Sequence, residues 1–148
     1  PSMFIFIDDD WQGYGFLNQT WGLHDIYDTY VRMESPNTTR RDNYIQQMAN
    51  GGAEYVYQWV HSSPTTLYFD GYDQYQELTL QEMTHMGVTG SFFNLFDCSA
   101  SRYTEENLAE MYLHQDHGLA TIGSTKAGGV YNPWVFHDVL SAGGTWGP

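Results

Sequence analysis

What this sequence has little of narrows it first. It carries one cysteine, Cys98, so no disulfide forms within the chain, and cysteine usage neither supports nor excludes an extracellular setting. Cations are scarce: 5 Lys and Arg stand against 18 Asp and Glu, a formal charge of −13, and Lys126 is the single lysine. A partner held through its phosphate backbone needs clustered Lys and Arg, so the balance argues against nucleic acid. No apolar run approaches the ~18 to 20 residues of a membrane-spanning helix, and no signal peptide is read near Pro1.

Aromatic residues are what is present in quantity. With 12 Tyr, 8 Phe and 5 Trp the chain is expected to fold despite a mean hydropathy of −0.48, as a single domain over residues 1–148. The acidic excess reads first as a solvated surface. Its sharper reading is selection of a basic substrate or retention of Ca²⁺, and composition alone does not separate the two.

Three runs organise the chain. Met3 to Ile7 is continuously apolar, the pattern of a strand buried on both faces, and it ends in Asp8-Asp9-Asp10. Glu54 to Val60 is a β-rich run that ends on His61 and breaks at Ser62-Ser63-Pro64; Gly90 to Asp97 runs into Cys98. If the last two are parallel neighbours, His61 and Cys98 emerge on one sheet edge. In open parallel sheets ligands gather outside the C-terminal strand ends. A thiol attacks as thiolate, and a nearby imidazole is the usual means of activating it, so the pair has a chemical purpose. The Asp trio serves either as crevice-lining carboxylates or as turn and cap residues.

Further elements follow in order. Asn18 to Tyr30, with Leu23, Ile26, Tyr27 and Tyr30 at helical spacing, reads as a short helix or an irregular approach to a strand; Asp28 to Met33 reads as an edge strand and Thr38 to Gly52 as an amphipathic helix. Leu67 to Asp73 reads as a loop or hairpin, and Leu78 to Met83 opens a helix carrying His85 near its end, at the sheet edge opposite Cys98. Tyr103 to His114 reads as a helix capped by Thr104, with its N-terminus near the thiol. A strand over Gly118 to Gly129 and a helix over Tyr131 to Leu140, with Pro133 in its first turn, complete the pattern. His114 and His117 lack further ligands for zinc, and His137 reads as a core residue. A phosphatase built on Asp8 and Asp10 fails for want of a distal acidic pair, since only Asp138 follows Lys126.

Six short segments carry a resemblance: Ile7-Asp8-Asp9-Asp10, Asn50-Gly51-Gly52-Ala53, Tyr57 to His61, Phe96-Asp97-Cys98, Leu108-Ala109-Glu110 and Ile122-Gly123-Ser124-Thr125. In this order and spacing the chain resembles the gingipain-type cysteine peptidases of the caspase-like clan. The resemblance implies an α/β, caspase-like three-layer sandwich with a mostly parallel central sheet, of which this chain is a fragment or minimal version. It implies a cysteine endopeptidase with Cys98 as nucleophile and His61 as general base and acid. The backbone N–H groups of Cys98 and Ser62 are the expected oxyanion donors. Asp8, Asp9, Asp10, Ser124 and Thr125 are candidate substrate-binding residues. Asp8 to Asp10, with Asp70 and Asp73, hint at a basic residue before the scissile bond. The implied partner is a peptide or protein substrate; no cofactor is required, Ca²⁺ is admitted, and secretion or export is implied. The family's glycine after the histidine is Ser62 here, which leaves an inactive binding or accessory module of the same fold as the alternative.

Overall fold

The computed structural model describes residues 2–11, 20–71, 74–128 and 133–145. Five strands make one all-parallel sheet: β1 (Ser2–Ile7), β2 (Thr29–Met33), β3 (Tyr55–Trp59), β7 (Phe92–Leu95) and β8 (Ala120–Gly123), in the order β2-β1-β3-β7-β8. Between β3 and β7 the chain builds a small antiparallel sheet from β4 (His61–Ser63), β5 (Thr66–Gly71) and β6 (Gln74–Thr79). Among the described residues the helices are α1 (Trp21–His24), α2 (Arg41–Asn50), α3 (Leu80–Met86), α4 (Leu108–Leu113) and α5 (Pro133–Ser141), and a 3₁₀ turn spans Asp9–Trp11.

Strand alternation sorts the side chains into two cores. Met3, Ile5, Ile7, Tyr55, Tyr57 and Trp59 face a layer formed by α1 and α5, where Leu23 and Leu140 meet them. Phe4, Phe6, Val56, Val60, Phe93 and Leu95 face the other side, against Tyr44 and Met48 of α2, Met83 of α3, Leu108 and Tyr112 of α4. Leu67, Phe69 and Leu78 of the small sheet join that second core. Both faces of the parallel sheet are therefore covered, the arrangement that near-continuous apolar strands such as Met3 to Ile7 require. The result is a three-layer α/β fold. None of its described helices is long and apolar enough to cross a membrane.

Strand order reverses beside β1, whose neighbours are β2 on one side and β3 on the other. A crevice opens at such a switch point, beyond the C-terminal strand ends. Asp8 follows β1, His61 follows β3 by two residues, and Cys98 follows β7 by three.

Several boundaries differ from those expected. The helix after Cys98 starts at Leu108, and Asn107, not Thr104, caps it: its Oδ1 accepts the Glu110 N–H at 3.0 Å. Its first N–H groups donate to Pro64 O at 2.8 Å and Ala100 O at 2.9 Å, so they do not serve the thiol. The helix read from Leu78 begins at Leu80, because Leu78 and Thr79 pair with β5 and Thr79 forms a capping box with Glu82. His61 does not end its strand; it opens β4, opposite Tyr68, after the chain turns at Val60. Asp73 lies outside the described residues, as does the side chain of Asp70.

Phe6 joins the layers, with its ring 5.1 Å from Tyr44 and 5.7 Å from Phe69, and it is fully buried. Phe6→Ala is expected to lower the unfolding free energy by about 3 to 5 kcal/mol. Urea titrations followed by far-UV and near-UV circular dichroism should stay coincident, because both sheets share this core.

Candidate active site

Parallel pairing sets the frame of the site. Gln58 of β3 is registered with Leu95 of β7, and His61 and Cys98 each lie three residues further on. The ladder continues beyond the strands, since Phe96 N–H donates to Gln58 O at 2.9 Å. On the other side of β3, Asp8 N–H donates to Trp59 O at 2.9 Å. The three chain ends therefore leave the sheet side by side.

Cys98 sits in a run of turns that backbone bonds tie to the loop after β8. Ser99 N–H donates to Lys126 O at 2.8 Å, and Ser101 N–H to Ser124 O at 2.9 Å. Ser99 is buried with φ of 58°, a left-handed conformation costly for a residue with a Cβ, and such strain gathers at functional turns. The Cys98 thiol is partly exposed, and its Sγ accepts the Gly128 N–H at 3.2 Å. Gly128 does this at φ of 103°, which a side chain rarely permits. The Cys98 carbonyl accepts the Ser62 Oγ–H at 2.6 Å. The Cys98 N–H donates to no group among the described residues, which leaves it available to a ligand.

His61 is half-exposed, and its Nε2 lies 3.0 Å from Asp10 Oδ2. With Asp10 as carboxylate, Nε2 carries the proton and Nδ1 is left as the basic nitrogen. Trp11 covers the imidazole at a centroid distance of 4.5 Å, and Trp59 and Phe96 stack behind it at 3.5 Å. No hydrogen bond joins His61 to Cys98: the imidazole is held by Asp10, and the sulfur by Gly128.

The acidic trio separates into three roles. Asp10 meets His61 on the exposed rim. Asp9 accepts the Thr39 hydroxyl at 2.9 Å. Asp8 has no exposed surface; one oxygen accepts the Asp9 N–H at 3.0 Å, and the other has no hydrogen-bond partner among the described residues. Burial pushes its carboxyl up to about 8, so it is mainly neutral at pH 7. Ser124 spends its hydroxyl on Lys126 O at 2.8 Å and shapes the loop after β8, whereas Thr125 is exposed beside it. Among the described residues no three His, Cys, Asp or Glu side chains are grouped to hold a metal ion.

Two groups at this edge escaped the sequence reading. Asp97 and Gln58 are fully buried polar residues at positions whose parity matches Phe93 and Leu95 on β7, and Val56 and Val60 on β3. Asp97 Oδ1 accepts the Val60 N–H at 2.9 Å, and its Oδ2 accepts from Gln58 Nε2. Gln58 Oε1 in turn accepts the Tyr44 hydroxyl at 2.7 Å, and Tyr44 shares a 2.6 Å bond with Tyr112. The available signal was polarity at a core-facing position on two neighbouring strands. Burial pushes the Asp97 carboxyl up to about 7, against its two N–H donors.

The site is thus that of an α/β protein with a doubly wound parallel sheet, which presents a thiol and an imidazole–carboxylate pair at its C-terminal strand ends. No protein-family model matches the chain, and no curated protein does.

A carboxyl with a raised folded-state pKa binds its proton more tightly folded than unfolded, so stability falls as pH rises between the two values. For Asp8 that window runs from about 4 to about 8. Asp8→Asn removes one such proton. Relative to the native chain the variant should gain up to about 1.4 kcal/mol per pH unit across that window. Urea unfolding at a series of pH values reads this directly, and parallel curves would refute the burial argument.

Proposed function

We propose that the chain is a cysteine endopeptidase domain of caspase-like fold, related to the gingipain-type peptidases. The carrying observation is the equal offset of His61 and Cys98 from the paired residues Gln58 and Leu95 on adjacent parallel strands. Cys98 thiolate attacks the substrate carbonyl, and the oxyanion forms against the backbone N–H groups of Cys98 and Ser62. His61 accepts the thiol proton and delivers it to the leaving amine. Water, deprotonated by His61, then hydrolyses the thioester and frees the sulfur. Asp10 orients the imidazole through Nε2 and stabilises its cationic form, so that Nδ1 is presented to the reaction. The Gly128 N–H stabilises charge on sulfur. The hydrogen bond missing between thiol and imidazole is in keeping with a free enzyme, where catalytic contacts tighten only around substrate.

A second reading, an inactive binding or accessory module of the same fold, draws on Ser62. Its side chain is committed to the Cys98 carbonyl at 2.6 Å, where the family carries glycine. Loss of one oxyanion donor costs about 2.7 to 4 kcal/mol in comparable sites. The hydroxyl also steadies the nucleophile's peptide, and that favours the active reading.

Alkylation of Cys98 by iodoacetamide between about pH 6 and 7 tests the pair. The native chain should react at least about tenfold faster than His61→Ala, and Asp10→Asn should lose about tenfold or more of the peptide hydrolysis rate. Equal alkylation rates with and without His61 would reject the dyad. Ser62→Gly should lower hydrolysis in an active enzyme; activity that appears only in Ser62→Gly would establish the inactive module instead.

A further inference from the structure

Asp97 is buried with no cationic partner among the described residues, yet it immediately precedes the proposed nucleophile, and neither the dyad nor the oxyanion donors use it. Its two oxygens reach across to β3. Oδ1 takes the N–H of Val60, the residue before His61, at 2.9 Å; Oδ2 takes the Gln58 amide. One side chain therefore bonds the main chain next to the imidazole while its own main chain carries the thiol. Behind it, Gln58 leans on Tyr44 of α2, and Tyr44 on Tyr112 of α4, so the carboxyl is fixed from the core outward.

We propose that Asp97 is the positioning residue of the site, a clamp that holds the His61 and Cys98 chain ends at working separation. The proposal deepens the peptidase reading and rests on it for its purpose. The clamp itself is a geometric device, and ordinary strand pairing does not supply it. The Phe96 N–H to Gln58 O bond is the last of the β3–β7 ladder, and past it the Asp97 carboxylate substitutes for a backbone acceptor.

The clamp predicts a difference between two substitutions. Asp97→Ala leaves the Val60 N–H and the Gln58 amide unpaired. Asp97→Asn keeps an oxygen for Val60, and its NH₂ is satisfied if Gln58 turns over. Gln58 then donates to Tyr44, which donates to Tyr112.

The separation is read without reference to catalysis by replacing His61→Cys and measuring disulfide formation with Cys98 against glutathione. The bond should form in the full chain. Adding Asp97→Ala should lower its equilibrium constant about tenfold or more, whereas Asp97→Asn should stay within about threefold. In the chain that keeps His61, Asp97→Ala should cut kcat for peptide hydrolysis about 10²-fold with little change in KM, and Asp97→Asn should recover most of it.

Equal disulfide equilibria with Asp97 and Ala, or no disulfide in the His61→Cys chain, overturns the clamp. The expected disulfide pattern in a protein whose native form cleaves no peptide leaves the clamp standing and removes the peptidase reading. Where Asp97→Ala fails to fold, the Val60 amide proton of a chain with His61→Ala and Asp8→Asn decides by NMR, the second change removing the carboxyl raised to about 8 that neighbours the Trp59–Val60 peptide. It should shift as pH crosses about 7 with the Asp97 carboxyl. The other titratable groups facing Asp97, Tyr44 and Tyr112, are raised by burial and stay protonated there. A Val60 proton unmoved by pH rejects the bond.

Discussion

The C-terminal edge of the sheet depends on the parallel ladder between β3 and β7. Once Tyr55 to Gln58 lie beside Phe92 to Leu95, the residues that follow have no choice of edge, and His61 and Cys98 arrive together. The ladder is secure because both faces are dry: aromatic rings from β1 and β3 meet α1 and α5 on one side, α2 to α4 on the other. In such a setting an unmade backbone bond costs the full desolvation of its groups, so slippage by one residue is strongly penalised.

Charge is distributed by that same burial. Among the described residues most carboxylates are exposed, and there the negative charge of a chain with a formal −13 favours solubility. Among the described residues two carboxyls are fully buried, Asp8 just after β1 and Asp97 after β7, and each holds its proton to higher pH because burial disfavours the charged form. Between them, on the exposed rim, Asp10 faces His61. The depth of each strand end thus decides which carboxyl is pushed toward its neutral form.

The loops reach their shape through main-chain bonds more than side-chain contacts. Ser99 and Ser101 are tied to Lys126 and Ser124, Leu108 to Pro64, and Ala109 to Ala100. The turn that bears the thiol is held from three directions, which offsets the left-handed backbone at Ser99. Ser62 belongs to the same set. A glycine there would free space in the cleft and release the Cys98 carbonyl from its hydroxyl partner.

Continuous apolarity at Met3 to Ile7 determined a doubly covered strand, and β-rich runs ending at His61 and Cys98 determined their common edge, because strand period and parallel pairing are local rules. Glycine, proline and aromatic spacing placed α2 and α5 closely for the same reason. Caps and turns after Cys98 were less legible: Thr104 and Asn107 are both good caps, and only the loop's bonds to Pro64 and Ala100 select the second. Asp10 was visible as an acid at a strand end, but its meeting with His61 joins positions far apart in sequence. Asp97 and Gln58 look like interruptions of apolar strands until the register sets them face to face. Which polar group is satisfied, and by which distant partner, is a property of three-dimensional burial, and that was decided by the tertiary structure alone.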